Sequence, residues 1–152
     1  MKCLTICQPY AHLIVTPQAE LGRFSQQKRV ENRTWGTSYR GPLLIHAGRS
    51  KAWLRTYPAR FGGLVYGAIV GVVSLIDCVK LPMVGVVPPV LTERYPWIVT
   101  HEHTEGPYCW ILDGARRFSE PIPLTGRQGL FFVADCLVRE QLEACGWTTR
   151  GL

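Results

Sequence analysis

Apolar and polar positions fall in short runs along this chain, and the period of the runs changes often. Lys2 to Ile6 alternates weakly and predicts a first strand. Pro9 suits a first helical position, and Tyr10, Leu13 and Ile14 recur at helical spacing. The pattern therefore predicts a short helix from Pro9 to Val15, ended near Pro17. Pro17 to Gln27 is polar, contains Gly22 and reads as a long loop. Arg29 to Trp35 is predicted as a strand, Gly36 to Arg40 as a turn, and Gly41 to Ala47 as a strand so apolar that it must be buried. Ser50 is placed to cap a helix covering about Lys51 to Arg60.

The second half is punctuated more densely. Leu64 to Val79 reads as a long strand broken by Gly67 and Gly71, as at a bulge or a barrel bend. Lys80 to Pro96 reads as a proline-rich loop, and Trp97 to Thr104 fits neither period. Strands are predicted at Tyr108 to Leu112, with an extension toward Phe118, at Ile122 to Leu124 and at Gly129 to Val133. Leu137, Val138, Leu142 and Cys145 share one side of a terminal helix. No repeat, low-complexity tract or linker interrupts the order. Residues 1–152 are thus expected to form one α+β domain, with a core over about 1–135, a helix over 136–146, and short strands able to close into a small barrel.

One predicted strand breaks the pattern. On alternation, Arg29, Glu31, Arg33 and Trp35 share a face, and Lys28, Val30, Asn32 and Thr34 share the other. Neither face is an apolar stripe, although the next strand is almost wholly apolar. Such a strand either lies at a sheet edge, with its charges blunting aggregation, or lines a polar pocket. In the first case a Glu31–Arg33 pair in solvent contributes only about 0–1 kcal/mol. In the second, Lys28 and Arg33 meet a phosphate or carbonyl, Glu31 orients them, and Trp35 and Tyr39 offer stacking faces.

Composition narrows the choice a little. The formal net charge is +6 and apolar residues make up 47%, so the chain is globular and suits an anionic partner such as nucleic acid. No two of the six cysteines form a CxxC pair, and Cys78, Cys109 and Cys136 lie in or beside apolar runs, as small hydrophobes do. The N-terminal stretch lacks a long apolar region, and Leu64 to Ile76 is short for a membrane span. Reduced thiols, a cytoplasmic location and no membrane segment are the expectation.

Three segments together, "ICQPYAHLIV", "KRVENRTW" and "YRGPLLIHAGRS", resemble the ASCH domain family, a PUA-like group. Lys28, Glu31 and Arg33 fall on the Lys, Glu and Arg of that family's G-x-K-x-x-E-x-R motif. "GPYCWILDGARRFSEPIPLTGRQGLFFV" extends the likeness to about Val133. Gln26 stands where the motif has glycine, and 17–27 reads as an insertion. The resemblance implies a PUA-like mixed β-barrel with flanking α-helices and RNA-related work. It also implies a rival, since some small ASCH proteins resemble amidohydrolases acting on N(4)-acetylcytidine and others are linked to ribonuclease activity. The amidohydrolase pattern has a Lys, matched by Lys28, a hydroxyl residue three places on, replaced here by Glu31, and a downstream Glu, for which Glu93 and Glu102 are candidates.

Two chemistries remain open at this level. As a hydrolase, the chain would use Lys28 and Glu31 as catalytic residues, with Lys28 either a cation on an oxyanion or, if burial lowers its pKa from about 10.4, a base. As a binder, it would place Lys28, Arg33 and Arg40 on phosphate, Trp35 or Tyr39 on a base, and Gln8 or Asn32 at the base edge, with His46 at the pocket wall. The partner is then RNA or a nucleoside or nucleotide. An interaction module without catalysis is a third class. His101 and His103 resemble a metal pair but have no closing ligand at zinc-site spacing, so neither metal nor cofactor is expected. Cys7 reads as a buried thiol, Arg116 and Arg117 as a basic face or a solvated turn, and Trp53, Trp97, Trp110 and Trp147 as core residues.

Overall fold

A computed structural model describes residues 1–23, 25–57 and 60–148. Six strands and four α-helices follow in the order β1 (Lys2–Ile6), α1 (Tyr10–Val15), α2 (Gln18–Leu21), β2 (Val30–Arg33), β3 (Gly41–Ala47), β4 (Ala68–Lys80), α3 (Pro89–Arg94), β5 (Tyr108–Pro123), β6 (Leu130–Phe132) and α4 (Asp135–Ala144). The strands form one sheet in the order β2-β5-β4-β3-β1-β6. It is mixed: β1 runs parallel to β3, pairing Cys3 with Leu44, and antiparallel to β6, pairing Cys3 with Phe131. The expected α+β, PUA-like arrangement of mixed strands with flanking helices is the one observed. Among the described residues no helix is long and apolar enough to cross a membrane.

Several expectations change in detail. The loop over 17–27 contains α2, and the Gln18 side chain knits it: Nε2 donates to the carbonyls of Gly22 (3.2 Å) and Ser25 (2.8 Å), and Oε1 accepts from Gln27 N–H (2.7 Å). The helix expected over Lys51 to Arg60 is a short 3-10 turn at Ala52–Arg55, and its Pro58 and Ala59 lie outside the described residues. Prolines did not keep the 80–96 segment irregular. Pro89 opens α3, where its fixed φ and missing N–H are tolerated. The ambiguous 97–104 segment begins as a 3-10 turn, Pro96–Thr100.

Two predicted strands are one. β5 runs 16 residues from Tyr108 to Pro123. Gly114 inside it takes φ +63°, a left-handed conformation that bends a strand without ending it.

The chain divides into two compact units. One comprises 1–27, 42–73 and 115–152, the other 28–41 and 74–114. In the first, Cys3, Leu44, Ile69, Val72, Phe118 and Val138 form the core. A Cβ on Gly71 would come within 2.4 Å of the Arg116 carbonyl oxygen and 2.8 Å of a Val15 methyl, so only glycine fits there. In the second, Val30, Leu81, Leu91, Ile98, Cys109 and Ile111 pack together.

All six cysteines are free thiols. Burial pushes Cys3 up to about 12 and Cys109 up to about 11, which makes both poor nucleophiles. Cys136, expected to pack as a small hydrophobe, is instead exposed at the start of α4.

Candidate functional site

The second unit holds most of the charged residues singled out in the sequence. β2 stands at one end of the strand order and pairs antiparallel with β5, Val30 opposite Ile111 and Glu31 opposite Trp110. Alternation sends Val30 into the core, where it is fully buried. It should send Glu31 away from that core, yet Glu31 is only 7% exposed and Lys28 only 4%. The charges bury each other. Lys28 Nζ donates to Glu31 Oε2 at 2.7 Å and to the Val30 carbonyl. Arg33 NH2 lies 3.0 Å from Glu31 Oε1. Lys28 reaches Glu31, although strand alternation puts them on opposite faces, because β2 begins only at Val30 and 28–29 need not follow the pleat.

This arrangement removes the reading of a solvated edge. Taking an ion from water into a protein interior costs several kcal/mol, returned only when each charge is well paired. Here one carboxylate has a cation on each oxygen, so the group carries one net positive charge.

A loop between α3 and β5 closes on this group. His101 is buried, and its Nε2 accepts the Arg29 backbone N–H at 2.9 Å. Asn32 holds the following turn: Nδ2 donates to the His103 carbonyl (2.7 Å), while Oδ1 accepts from the N–H groups of Glu105 (3.1 Å) and Gly106 (2.8 Å). His103 is buried, and its Nε2 lies 3.2 Å from Glu102 Oε1. Burial first, and the Lys28 charge second, hold His103 below the usual histidine pKa, against the pull of Glu102 and Glu31. Among the described residues, no group of three or more His, Cys, Asp or Glu is arranged to hold a metal.

The aromatic and arginine candidates sort differently. Trp35 is half-buried and meets the fully buried Trp110 edge to face, centroids 4.8 Å apart, while Trp110 Nε1 donates to the Trp35 carbonyl. Tyr39 is half-buried, and that burial raises its pKa. Arg40 is exposed but committed: NH1 donates to the carbonyls of Thr37 (3.0 Å) and Tyr39 (2.8 Å), and NH2 to Asp77 Oδ1 (3.3 Å). Asp77 also receives Arg94 NH1 at 2.7 Å, the Tyr95 hydroxyl at 3.1 Å and the Cys78 N–H at 2.8 Å. Arg40 thus works as a clamp on its own turn.

Gln8 and His46 lie in the first unit, and both spend their polar atoms there. Gln8 is 1% exposed, donates to the Val65 carbonyl (2.8 Å) and accepts His12 N–H (3.0 Å), satisfying one backbone donor in the first turn of α1. His46 Nε2 donates to the Leu124 carbonyl at 2.7 Å, which leaves Nδ1 to accept from the Thr5 hydroxyl at 3.3 Å. Of the two candidates for a downstream Glu, Glu102 is the one beside His103, while Glu93 is exposed on α3. Asn32, expected at a base edge, is a loop clamp. His103, weighed in the sequence only as half of a metal pair, stands instead beside Glu102 and within reach of the Lys28 charge. Asp77, hidden in an apolar strand, has no counterpart in the sequence reading.

No family model and no curated protein matches the sequence. Solved structures do. ASCH from Zymomonas mobilis superposes with a TM-score of 0.52 at 14% identity, over 93% of this chain and 93% of that one. Two single-residue mutants of the same protein behave alike. A serine-to-alanine form gives 0.51 at 16% identity over 94% of each chain. A tyrosine-to-phenylalanine form gives 0.53 at 16% over 93% of this chain and 96% of that one. The chain has the ASCH fold. Glu31 and Arg33 lie on β2, at one end of the strand order, and Lys28 lies two residues before it.

Proposed function

We propose that this chain recognises RNA or a nucleotide-like ligand through the edge strand of its ASCH fold. Lys28 and Arg33 supply positive charge for a phosphate or carbonyl, Glu31 fixes the geometry of both, and Trp35 and Tyr39 offer ring faces. The observation that carries the reading is the Lys28–Glu31–Arg33 group, in which Lys28 and Glu31 are buried and Arg33 is half-buried. A well-packed apolar set would serve stability as well or better, so a buried ion pair at the start of an edge strand, with an arginine reaching solvent beside it, is better explained by a ligand. The Lys28 ammonium, held by Glu31 Oε2 and the Val30 carbonyl, is placed to meet an anion or a developing oxyanion.

The test is titration of cytidine monophosphate and of a short RNA against the protein and Arg33→Gln, at several salt concentrations. Arg33 is a quarter exposed, so its loss should spare the fold. Weaker binding of both ligands is expected, with a salt slope for RNA shallower by about 0.7. Unchanged affinity for both sinks the proposal.

A second reading is metal-independent hydrolysis of an acylated nucleoside such as N(4)-acetylcytidine. It is favoured by His103. A neutral imidazole beside a carboxylate and a fixed cation suits general acid–base work near neutral pH. Turnover of N(4)-acetylcytidine that disappears in His103→Gln supports it, and absence of turnover by the intact protein removes it.

A further inference from the structure

The chain has no acidic residue between Glu31 and Asp77, and this interval carries Arg33, Arg40, Arg49, Lys51, Arg55 and Arg60. The two outermost cations reach the acids that flank the interval: Arg33 pairs with Glu31 and Arg40 with Asp77. The four inner ones have no such recourse. Arg49, Lys51, Arg55 and Arg60 are all exposed, and among the described residues none of them is ion-paired with a carboxylate. Elsewhere in the first unit, a basic residue such as Arg117 does find a partner, Glu20 at 2.7 Å.

Aromatic side chains are interleaved with these cations. Trp53, expected in the core, is 51% exposed. Its ring lies 6.1 Å from Tyr10, which lies 6.0 Å from Tyr57. Tyr57 is 5.7 Å from Phe61, and Phe61 is 5.2 Å from His12. These rings form a connected series over α1 and the 3-10 turn, all within the first unit. Lys51 adds a cation 5.0 Å from the Tyr66 ring. Burial, then the charge of Arg117, holds the His12 pKa down, so the series carries no extra charge of its own near neutral pH.

Uncompensated cations spaced among supported, partly exposed rings match the needs of a flexible polyanion with flat bases: phosphate charge is neutralised while bases stack. A protein surface supplies no regular succession of negative charge and ring faces, and a lone phosphate leaves the rings unused. We propose that Arg49, Lys51, Trp53, Arg55, Arg60 and Phe61, with Tyr10 and Tyr57 beside them, form a binding surface for single-stranded RNA, with Trp53 as its principal stacking platform. The surface uses none of Lys28, Glu31 and Arg33. Only the choice of RNA over DNA rests on the function proposed above.

The experiment is titration of the intact chain with short oligouridylate and oligodeoxythymidylate, followed by tryptophan fluorescence and by anisotropy of the labelled oligomer. Variants are Trp53→Ala, Trp53→Phe and the pair Arg55→Gln with Arg60→Gln. Trp53→Ala is expected to weaken oligouridylate binding roughly tenfold, while Trp53→Phe keeps most of it. The double glutamine variant should make the salt slope shallower by about 1.4. Cytidine monophosphate binding should be unmoved in all three, and this separates failure here from failure at Arg33. Oligouridylate affinity unchanged in Trp53→Ala overturns the surface. Equal affinity for the DNA oligomer overturns the assignment to RNA.

Discussion

Lys28 Nζ and Glu31 Oε2 sit 2.7 Å apart, three residues apart in sequence and both buried. Glu31 is also held by Arg33, so the three positions are not equivalent. Glu31→Leu strands two cations and should destabilise by about 3–5 kcal/mol. Arg33→Gln, at a quarter-exposed position, should cost much less. The double variant Lys28→Met/Glu31→Leu should regain part of the loss, because no buried charge is then unmatched except through Arg33. Urea unfolding of the three variants measures the order. A double variant no better than Glu31→Leu alone would contradict the pairing.

Asn32 is worth as much to the loop as to the strand. Asn32→Ala removes one donor and an acceptor shared by two backbone N–H groups and the Cys109 thiol, and should cost about 1–3 kcal/mol. The effect should be local: the amides of Glu105 and Gly106 should exchange with solvent faster in Asn32→Ala, while those of β1 and β3 keep their protection. Exchange rates measured residue by residue decide it.

His12 and His103 both have pKa values below the usual 6.5, burial being the largest cause in each. A histidine depressed on folding binds its proton more readily in the unfolded chain. Stability is therefore full above about 6.5 and falls as pH drops through the folded values. The ring protons of both residues should titrate below 6.5 in an NMR series. His103→Gln should flatten part of the stability loss on that limb. A ring that titrates at or above 6.5 would contradict this account of the acid limb.

Asp77 acts at lower pH. Burial alone would raise its pKa, but the bonds from Arg94, the Cys78 N–H and Tyr95 overcome this and hold it below 3.8. Its contribution is present above 3.8 and is lost as pH falls through the lower folded value. Asp77→Asn should weaken the protein at neutral pH and make the acid limb shallower. An acid unfolding curve of unchanged shape would show that Asp77 does not govern that limb.

Much of the fold was legible because it rests on runs with one clear meaning. Gly41 to Ala47 is apolar but for His46 and is a strand buried from Leu43 onward. Val138 and Leu142 predicted α4 within a residue or two of its observed ends, although Leu137, expected on the same side, is exposed. The failures have local causes. Tyr108 to Pro123 reads as two strands, the first reaching toward Phe118 and the second starting at Ile122, because Ser119, Glu120 and Pro121 look like a break, whereas the strand runs through them and the left-handed Gly114 only bends it. The 80–96 segment was read as irregular from its prolines, one of which starts α3. At the candidate site, alternation put Lys28 and Glu31 on opposite faces. Their contact depends on where β2 begins, and a boundary of that kind is set by pairing with β5 rather than by the strand's own residues. Asp77 shares a face with Leu75 in an otherwise apolar run, so nothing around it in sequence announces partners as distant as Arg40 and Arg94.

The trio of Lys28, Glu31 and Arg33 also constrains how this chain can change over generations. A substitution at Glu31 leaves two like charges without their shared counter-ion, and one at Lys28 leaves its carboxylate half-matched in a dry setting. Either intermediate is less stable than both its ancestor and the descendant in which partner positions have changed together. Drift at these sites must therefore cross a valley, by paired replacement or behind an earlier stabilising change elsewhere. Descendants of this protein should keep the three residues as a set or lose them as a set.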